Sequence, residues 1–368
     1  MQWLTGWPVT REALVVLHGP DDVDLRVGFP NHVPAARRHA VGPVRVAWCG
    51  DDPADTAAAL VAAGAGARRP VGTVGVLPAR LAAALAGTAP PVPLDADYTR
   101  LRQTKSPAEL GWLRHAARLT DASARALVRA AVPGAHQLDL LAAVESSYLA
   151  AGGTNHVHYL CSTAMPAPDR CVPAQYPEDR RLAAGDAVVV ELSTAWGQDY
   201  PGQLLRTITV AAEPTARYAE LHAAATEVHD RIVARLRPGT LPAELWEAAA
   251  LVAEQGFGTV DDLVHGLGGG YLPPVVRQWD GPPAGLHAEP LRAGMTLVVQ
   301  PNVCTLDGTA GVQTGEMYLV TDDGAEPLHD VRRGLLPGGA DPGGANPGGR
   351  RAEGPAGHPA VQEGPTDG

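Results

Sequence analysis

Two strand-like segments carry a polar residue at the same point. GDAVVVELST runs from Gly185 to Thr194, and GMTLVVQPNV from Gly294 to Val303. With the two glycines in register, Glu191 falls on Gln300, since 191 − 185 = 300 − 294. A carboxylic acid and an amide at matched positions, facing one cavity, make a polar centre that can hold a ligand and handle a proton. His265 stands just ahead of three glycines in DDLVHGLGGGYLPP (261–274) and adds the side chain that titrates nearest neutral pH. The glycines let backbone approach a site closely or turn sharply. NHVHY (155–159) offers His156 and His158, which share a face if the segment is a strand. The plainer alternative there is a polar loop at the cavity mouth.

These residues need two similar halves to position them. SPAE (106–109) reads as a capping box with Pro107 at the first helical position, opening a helix that ends by Pro133-Gly134. A second helix covers about 137–151. Tyr218, Leu221, Ala225, Val228, Ile232 and Leu236 step by three and four, which marks an amphipathic helix closed by Pro238-Gly239. Another follows from about 242 to Gly256. Strands group near 186–210 and 295–321, so a helix–helix–sheet unit occurs twice. If the halves pack about a pseudo-twofold axis, Glu191 and Gln300 point into the cavity between them.

Residues 1–98 read as a smaller α/β domain. ALVVLHG (13–19), VRVAWCG (44–50) and GTVGVLP (72–78) are strand-like; 56–67 and 79–87 are helical. PPVPLDAD (90–97) is a proline-rich break. The second domain spans 99–336. The Gly/Pro-rich stretch 337–368 has too little apolar content for a core and is expected to be disordered.

The chain has 368 residues and a formal net charge of −11. That balance, without a long basic run, argues against nucleic acid or anionic membrane as the main partner. The start lacks a cationic segment ahead of an apolar run, and no apolar stretch reaches membrane-spanning length. The four cysteines are scattered without a CxxC, which suggests neither a zinc knuckle nor a disulfide scaffold. A cytoplasmic protein acting on a small molecule is the expectation.

Six ordered blocks resemble the creatinase, Xaa-Pro aminopeptidase and methionine aminopeptidase superfamily, the pita-bread fold. They are LRQTKSPAELGWLRHAARLTD (101–121), GDAVVVELS, DYPGQLLRTITV (199–210), HGLGGGYLPP, AGMTLVVQPNV and GVQTGEMYLVTDDG (311–324). The resemblance covers nearly the whole chain, and the blocks that carry it lie within 101–324. The resemblance implies an α+β pita-bread domain with an internal pseudo-twofold duplication, a creatinase-like N-terminal α/β domain, and a homodimer.

The family's peptidases hold two divalent metals with two Asp, one His and two Glu. Carried over residue by residue, those positions are Glu191, Gln203, His265, Gln300 and Gly315 here. Glu316 lies one place on, facing away unless the strand bulges at Gly315. The two substrate-binding histidines of the family fall near Gln175 and on Leu272. Two metals about 3.5 Å apart need bridging carboxylates, so no metal or other cofactor is expected. The resemblance then points to the metal-independent creatinase and ectoine hydrolase branch. The expectation is a C–N hydrolase, lyase or cyclase of a guanidino, cyclic amidine or N-acyl amino acid compound. Glu191 and His265 would be catalytic, and Gln203, Gln300, Tyr200, Arg206, Glu316 and His158 would bind substrate. Arg206 has the alternative role of bracing the sheet, and Tyr200 that of a wall aromatic. The alternatives to this function are an Xaa-Pro-type metallopeptidase with unusual ligands and a catalytically dead binding module.

Overall fold

The computed structural model describes residues 2–9, 12–64, 70–86, 91–197 and 200–342. Two compact units meet in sequence between Leu101 and Arg102. In the first unit, Ala13–Gly19 pairs antiparallel with Asp22–Val27, which pairs parallel with Val44–Trp48. Helices Val33–His39, Pro53–Gly64 and Ala79–Ala86 accompany these strands. The expected strand at 72–78 shrinks to Gly72–Thr73, paired with Val92–Pro93.

The second unit opens with α1 (Pro107–Ala130) and α2 (Gln137–Leu149). Both bonds of the expected capping box form: Glu109 N–H donates to Ser106 Oγ at 3.3 Å, and Ser106 N–H to Glu109 Oε2 at 2.8 Å. Strands β1 (Thr154–Ala164), β2 (Asp186–Ala195) and β3 (Pro201–Thr209) complete the first half. The second half has α3 (Ala216–Val233), α4 (Pro242–Ala248), β4 (Val264–Leu267), β5 (Tyr271–Val276) and β6 (Thr296–Val299). It continues with β7 (Asn302–Cys304), β8 (Gly311–Gln313) and β9 (Gly315–Val320).

One sheet runs through both halves in the order β5-β4-β6-β9-β3-β2-β1. The seam is short: Gly315 faces Leu205 and Glu316 faces Leu204. Each half buries its own helices. Leu127, Leu140 and Val144 pack with Val188, Val190 and Leu204. Tyr218, Leu221, Val228 and Ile232 pack with Leu297, Val299 and Val312. The pita-bread architecture and its internal duplication are thus observed, with the amphipathic stripe of α3 facing the core as its spacing requires. No helix among the described residues is long and apolar enough to cross a membrane. The chain stays ordered past residue 336: Leu336–Pro337 runs parallel to the end of β3, and Gly338 N–H donates to Thr209 O. The rest of the expected tail, 343–368, lies outside the described residues.

α1 approaches the sheet at Gly202, where there is no room for a side chain. A Cβ there would lie 2.6 Å from Ala117 Cα and 2.7 Å from Ala117 N. Thr120 Oγ1 bridges the contact, donating to Gly202 O or Ala116 O and accepting from Thr194 N–H. Gly202→Ala should therefore lower the unfolding free energy by about 1–3 kcal/mol, because backbone rather than a flexible side chain must move. Gly111→Ala, on α1 with nothing within 4 Å of the new Cβ, should be neutral or stabilising by up to about 1 kcal/mol. Urea denaturation of both variants checks the contrast; equal midpoints would show that the close approach does not limit packing.

Candidate active site

Period-two alternation sorts the strand residues onto two faces. Thr194 bonds Ser123 on α1 at 3.0 Å, so Leu192 and Thr194 face the helices. Glu191 and Ser193 face the opposite way, across from Leu205 and Gln203. On that inner face four side chains from both halves meet. Gln203 Nε2 donates to Glu191 Oε1 and to Gln300 Oε1, both at 2.8 Å. His265 Nε2 lies 3.2 Å from Gln300 Oε1, and its Nδ1 3.2 Å from Gly266 O. The matched pair Glu191 and Gln300 is therefore joined through Gln203. The imidazole also stacks on Tyr271, with ring centroids 4.2 Å apart.

Burial sets the charge of this chain of bonds. Glu191 is pushed up to about 8, first by burial and then by the nearby charges of Asp261 and Asp262. Burial lowers His265 to about 4, against the bonds to Gly266 and Gln300 that favour its charged form. Both groups are thus neutral at pH 7. A neutral His265 that donates Nδ1–H to Gly266 O offers only a lone pair at Nε2. Gln300 must then turn its N–H₂ toward the ring, and Gln203 must turn its oxygen toward Gln300. That same oxygen meets Glu191, which completes the chain only if its carboxyl holds the proton. The 180° amide rotations cost nothing in geometry, since oxygen and nitrogen occupy equivalent places. The ionised alternative, glutamate with imidazolium, holds the same number of protons but buries two charges.

The remaining expected site residues lie elsewhere. Arg206 and Glu316 are on the outer face, and Arg206 has its bracing role. Its Nη2 bonds Glu316 Oε2 at 2.8 Å, and its other donors reach the carbonyls of Leu205, Gly315, Val331 and Arg332. Burial alone would raise the Glu316 carboxyl, but Arg206 and His229 hold it below the usual range. No bulge turns Glu316 inward, because Gly315 keeps regular pairing with Leu205. A Cβ on Gly315 would lie 2.6 Å from Val299 O and 2.8 Å from Gln300 Cα. Tyr200 donates to Glu109 Oε1 at 3.0 Å and stacks edge-on against Trp112, so it secures the start of α1. His158 sits opposite Leu192 and bonds Tyr148 OH at 3.1 Å, which places it toward α2 and away from Glu191. Tyr159, opposite Glu191, takes the place expected of it. The charges of Asp261 and Asp262 act on Glu191, and Gln313 Nε2 faces Asp261 at 3.4 Å. The DD pair ahead of His265 was the only sequence signal for any of them.

With this geometry in view, the comparisons with known proteins are direct. Residues 111–322 match metallopeptidase family M24. The chain belongs to that family. Curated relatives in Mycobacterium tuberculosis and Mycobacterium bovis, each named a probable dipeptidase PepE, are 25% identical over 246 residues. That match covers 64% of this chain and 61% of the relatives, so the chain spans under two thirds of their length. The prolidase of Pyrococcus horikoshii superposes with a TM-score of 0.76 at 21% identity, covering 91% of this chain and 92% of that one. Dipeptidase PepE of Mycobacterium ulcerans gives 0.73 at 24%, covering 91% and 90%.

These relatives overturn one expectation. The family is one of metallopeptidases and the matched relatives are named for dipeptides and prolidase activity, so the expected metal-independent hydrolase, lyase or cyclase of guanidino, amidine or N-acyl compounds is not supported, and the peptidase alternative is favoured. The amides at the positions carried over from the resemblance pointed to that other branch, but residue types at a centre do not by themselves identify what it binds. The family's pair of metals does not fit the residues present. Among the described residues no group of three or more His, Cys, Asp or Glu could hold a metal ion. Gln203 and Gln300 bring no charge to offset two cations, and Gly315 has no room for a replacement.

The raised carboxyl makes stability depend on pH. The folded state keeps the Glu191 proton up to about pH 8, whereas the unfolded chain releases it near the ordinary glutamate value. Its contribution is therefore full at low pH and is lost as pH rises toward 8, at up to about 1.4 kcal/mol per unit. Glu191→Gln removes that dependence while its side-chain N–H₂ keeps a donor for the Gln203 oxygen. Thermal melts at pH 5.5 and 8.5 should show the variant gaining stability relative to the parent at the higher pH. Parallel melting curves would mean that Glu191 is ionised in the fold.

Proposed function

We propose that this M24 chain acts on short peptides, as a peptidase of the dipeptidase type with an altered set of residues at its centre. The observation that carries this reading is the preserved polar centre itself. Four buried polar side chains from both halves remain joined on the inner face of the M24 fold, each with a partner. A disused pocket would fill with apolar side chains, because each unpaired buried amide costs about 1–3 kcal/mol. The curated relatives, named probable dipeptidases, supply the substrate class.

Within the centre Glu191 is the member a ligand reaches. It is 9% exposed, against 4% for Gln203, 3% for Gln300 and 1% for His265. Its carboxyl proton goes to the Gln203 oxygen in the closed chain and can be given instead to a carbonyl oxygen of a bound peptide, while the second carboxyl oxygen accepts an N–H. Gln203, bonded to both Glu191 and Gln300, holds that carboxyl in one orientation. His265 anchors the far end on Gly266 O, so the four side chains present one fixed polar surface.

Purified protein should release free amino acids from some member of a dipeptide panel that includes Xaa-Pro sequences, assayed with and without added manganese, cobalt or zinc. Glu191→Gln should lower kcat at least about 100-fold with KM little changed. A panel with no hydrolysis under any metal condition, together with no dipeptide binding by calorimetry, would overturn the peptide reading.

A further inference from the structure

A second polar cluster adjoins the bonded chain. Asp261 lies between the short strand Gly258–Thr259 and β4. Its carboxylate accepts the Asp262 N–H at 2.7 Å and faces Gln313 Nε2 at 3.4 Å. The one guanidinium nearby, Arg277, is bonded to Asp262 and Asp280. Asp261 is thus a partly buried carboxyl, pushed up by that burial, with no cation bonded to it among the described residues. It faces Glu191 and Tyr159, whose titrations both feel its charge.

Two further acceptors stand beside it without donors. Gln313 Oε1 and Asn302 Oδ1 are buried and have no hydrogen-bond partner among the described residues. The two residues are 1% and 0% exposed, and they face each other across β7 and β8. Rotating the amides does not relieve the shortage. Asn302 Nδ2 already donates to Cys171 O at 3.1 Å and Val312 O at 3.2 Å, so rotation would set oxygen against two carbonyls. Rotating Gln313 would set its oxygen against the Asp261 carboxylate and strand its N–H₂ instead. Unpaired buried acceptors cost free energy, and a lone buried carboxylate costs more. The group that completes the cluster must bring several N–H donors and positive charge.

We propose that Asp261, with the carboxamide oxygens of Gln313 and Asn302, forms a subsite for a primary ammonium group. An ammonium carries three donors and no acceptor, which suits acceptors from three adjoining segments: Asp261, Gln313 at 3.4 Å from it, and Asn302, paired with Gln313 across β7 and β8. On a short peptide that group is the free α-amino group or a lysine side chain. The assignment to a peptide rests on the reading above; the assignment to an ammonium does not.

The test uses the full chain with n-butylammonium and N-butylacetamide as probes, followed by ligand-observed NMR in the presence of EDTA. The ammonium should bind and the acetamide should not, and Asp261→Asn should weaken ammonium binding at least tenfold. Gln313→Met should weaken it as well, which keeps the test open if Asp261→Asn unfolds by circular dichroism. Leu-Pro, N-acetyl-Leu-Pro and N-acetyl-Lys-Pro then separate the two sources. Loss of affinity on acetylating Leu-Pro assigns the α-amino group, and recovery with N-acetyl-Lys-Pro assigns the lysine side chain. Equal binding of the two butyl probes, no binding of either, or unchanged affinity in Asp261→Asn overturns the subsite. Ammonium binding without binding of any peptide leaves the subsite standing and removes the peptide reading. Peptides that bind equally well free and acetylated do the reverse.

Discussion

The inner face depends on one constraint: four polar side chains are buried together with no charge to spare. A carboxyl, two carboxamides and an imidazole have enough donors and acceptors to satisfy one another only in a particular order. The order runs from Glu191 through Gln203 and Gln300 to His265 and ends on the Gly266 carbonyl. Glu191 and Gln203 come from the first half, Gln300 and His265 from the second. The bonds therefore also tie the halves together, and a shift of one strand by a single residue would remove a member and leave its neighbour unpaired.

The outer face solves a different problem with different chemistry. The seam between β3 and β9 has few backbone pairs, and Arg206 reinforces it from behind. Its guanidinium collects four carbonyls and the Glu316 carboxylate, so every donor is used and the buried charge is matched. Tyr318 OH donates to the other Glu316 oxygen at 2.8 Å. The Arg206–Glu316 charges are thus paired on the outer face, while the four joined side chains of the inner face are neutral. Gly315 lies between the two regimes, and its missing side chain lets β6 and β9 close up where Gln300 sits.

Features set by short-range rules were legible in the sequence. The capping box at Ser106, the stripe of α3 and the register of Glu191 with Gln300 each depend on spacing within one element. The bracing role of Arg206 and the outward turn of Glu316 also follow from plain strand alternation. What spacing does not reveal is convergence. Asp261, Asn302 and Gln313 come from three segments, and only the packing of α3 and the small β7–β8 sheet brings them together. Tyr159 and His158 illustrate the limit within a single strand: the segment was noticed for its histidines, but the side that faces Glu191 carries the tyrosine. Substrate class was least legible, because residue types at a centre do not by themselves identify what it binds.

The substitutions at the family's ligand positions are best understood as a coupled set. Carboxylates in that number are tolerable in a buried site only when cations neutralise them. Where no cation is held, each such position must be neutral, paired or without a side chain. The first and the last of these occur here. Gln203 and Gln300 are neutral by composition, Gly315 has no side chain, and Glu191 is neutral by holding its proton. Putting back one acid at Gln300 would add a second carboxyl beside Glu191 without adding a cation, and Gly315 would still block the last position. The close packing at Gly315 and the bonds of Gln203 to Glu191 and Gln300 hold the centre in this neutral form.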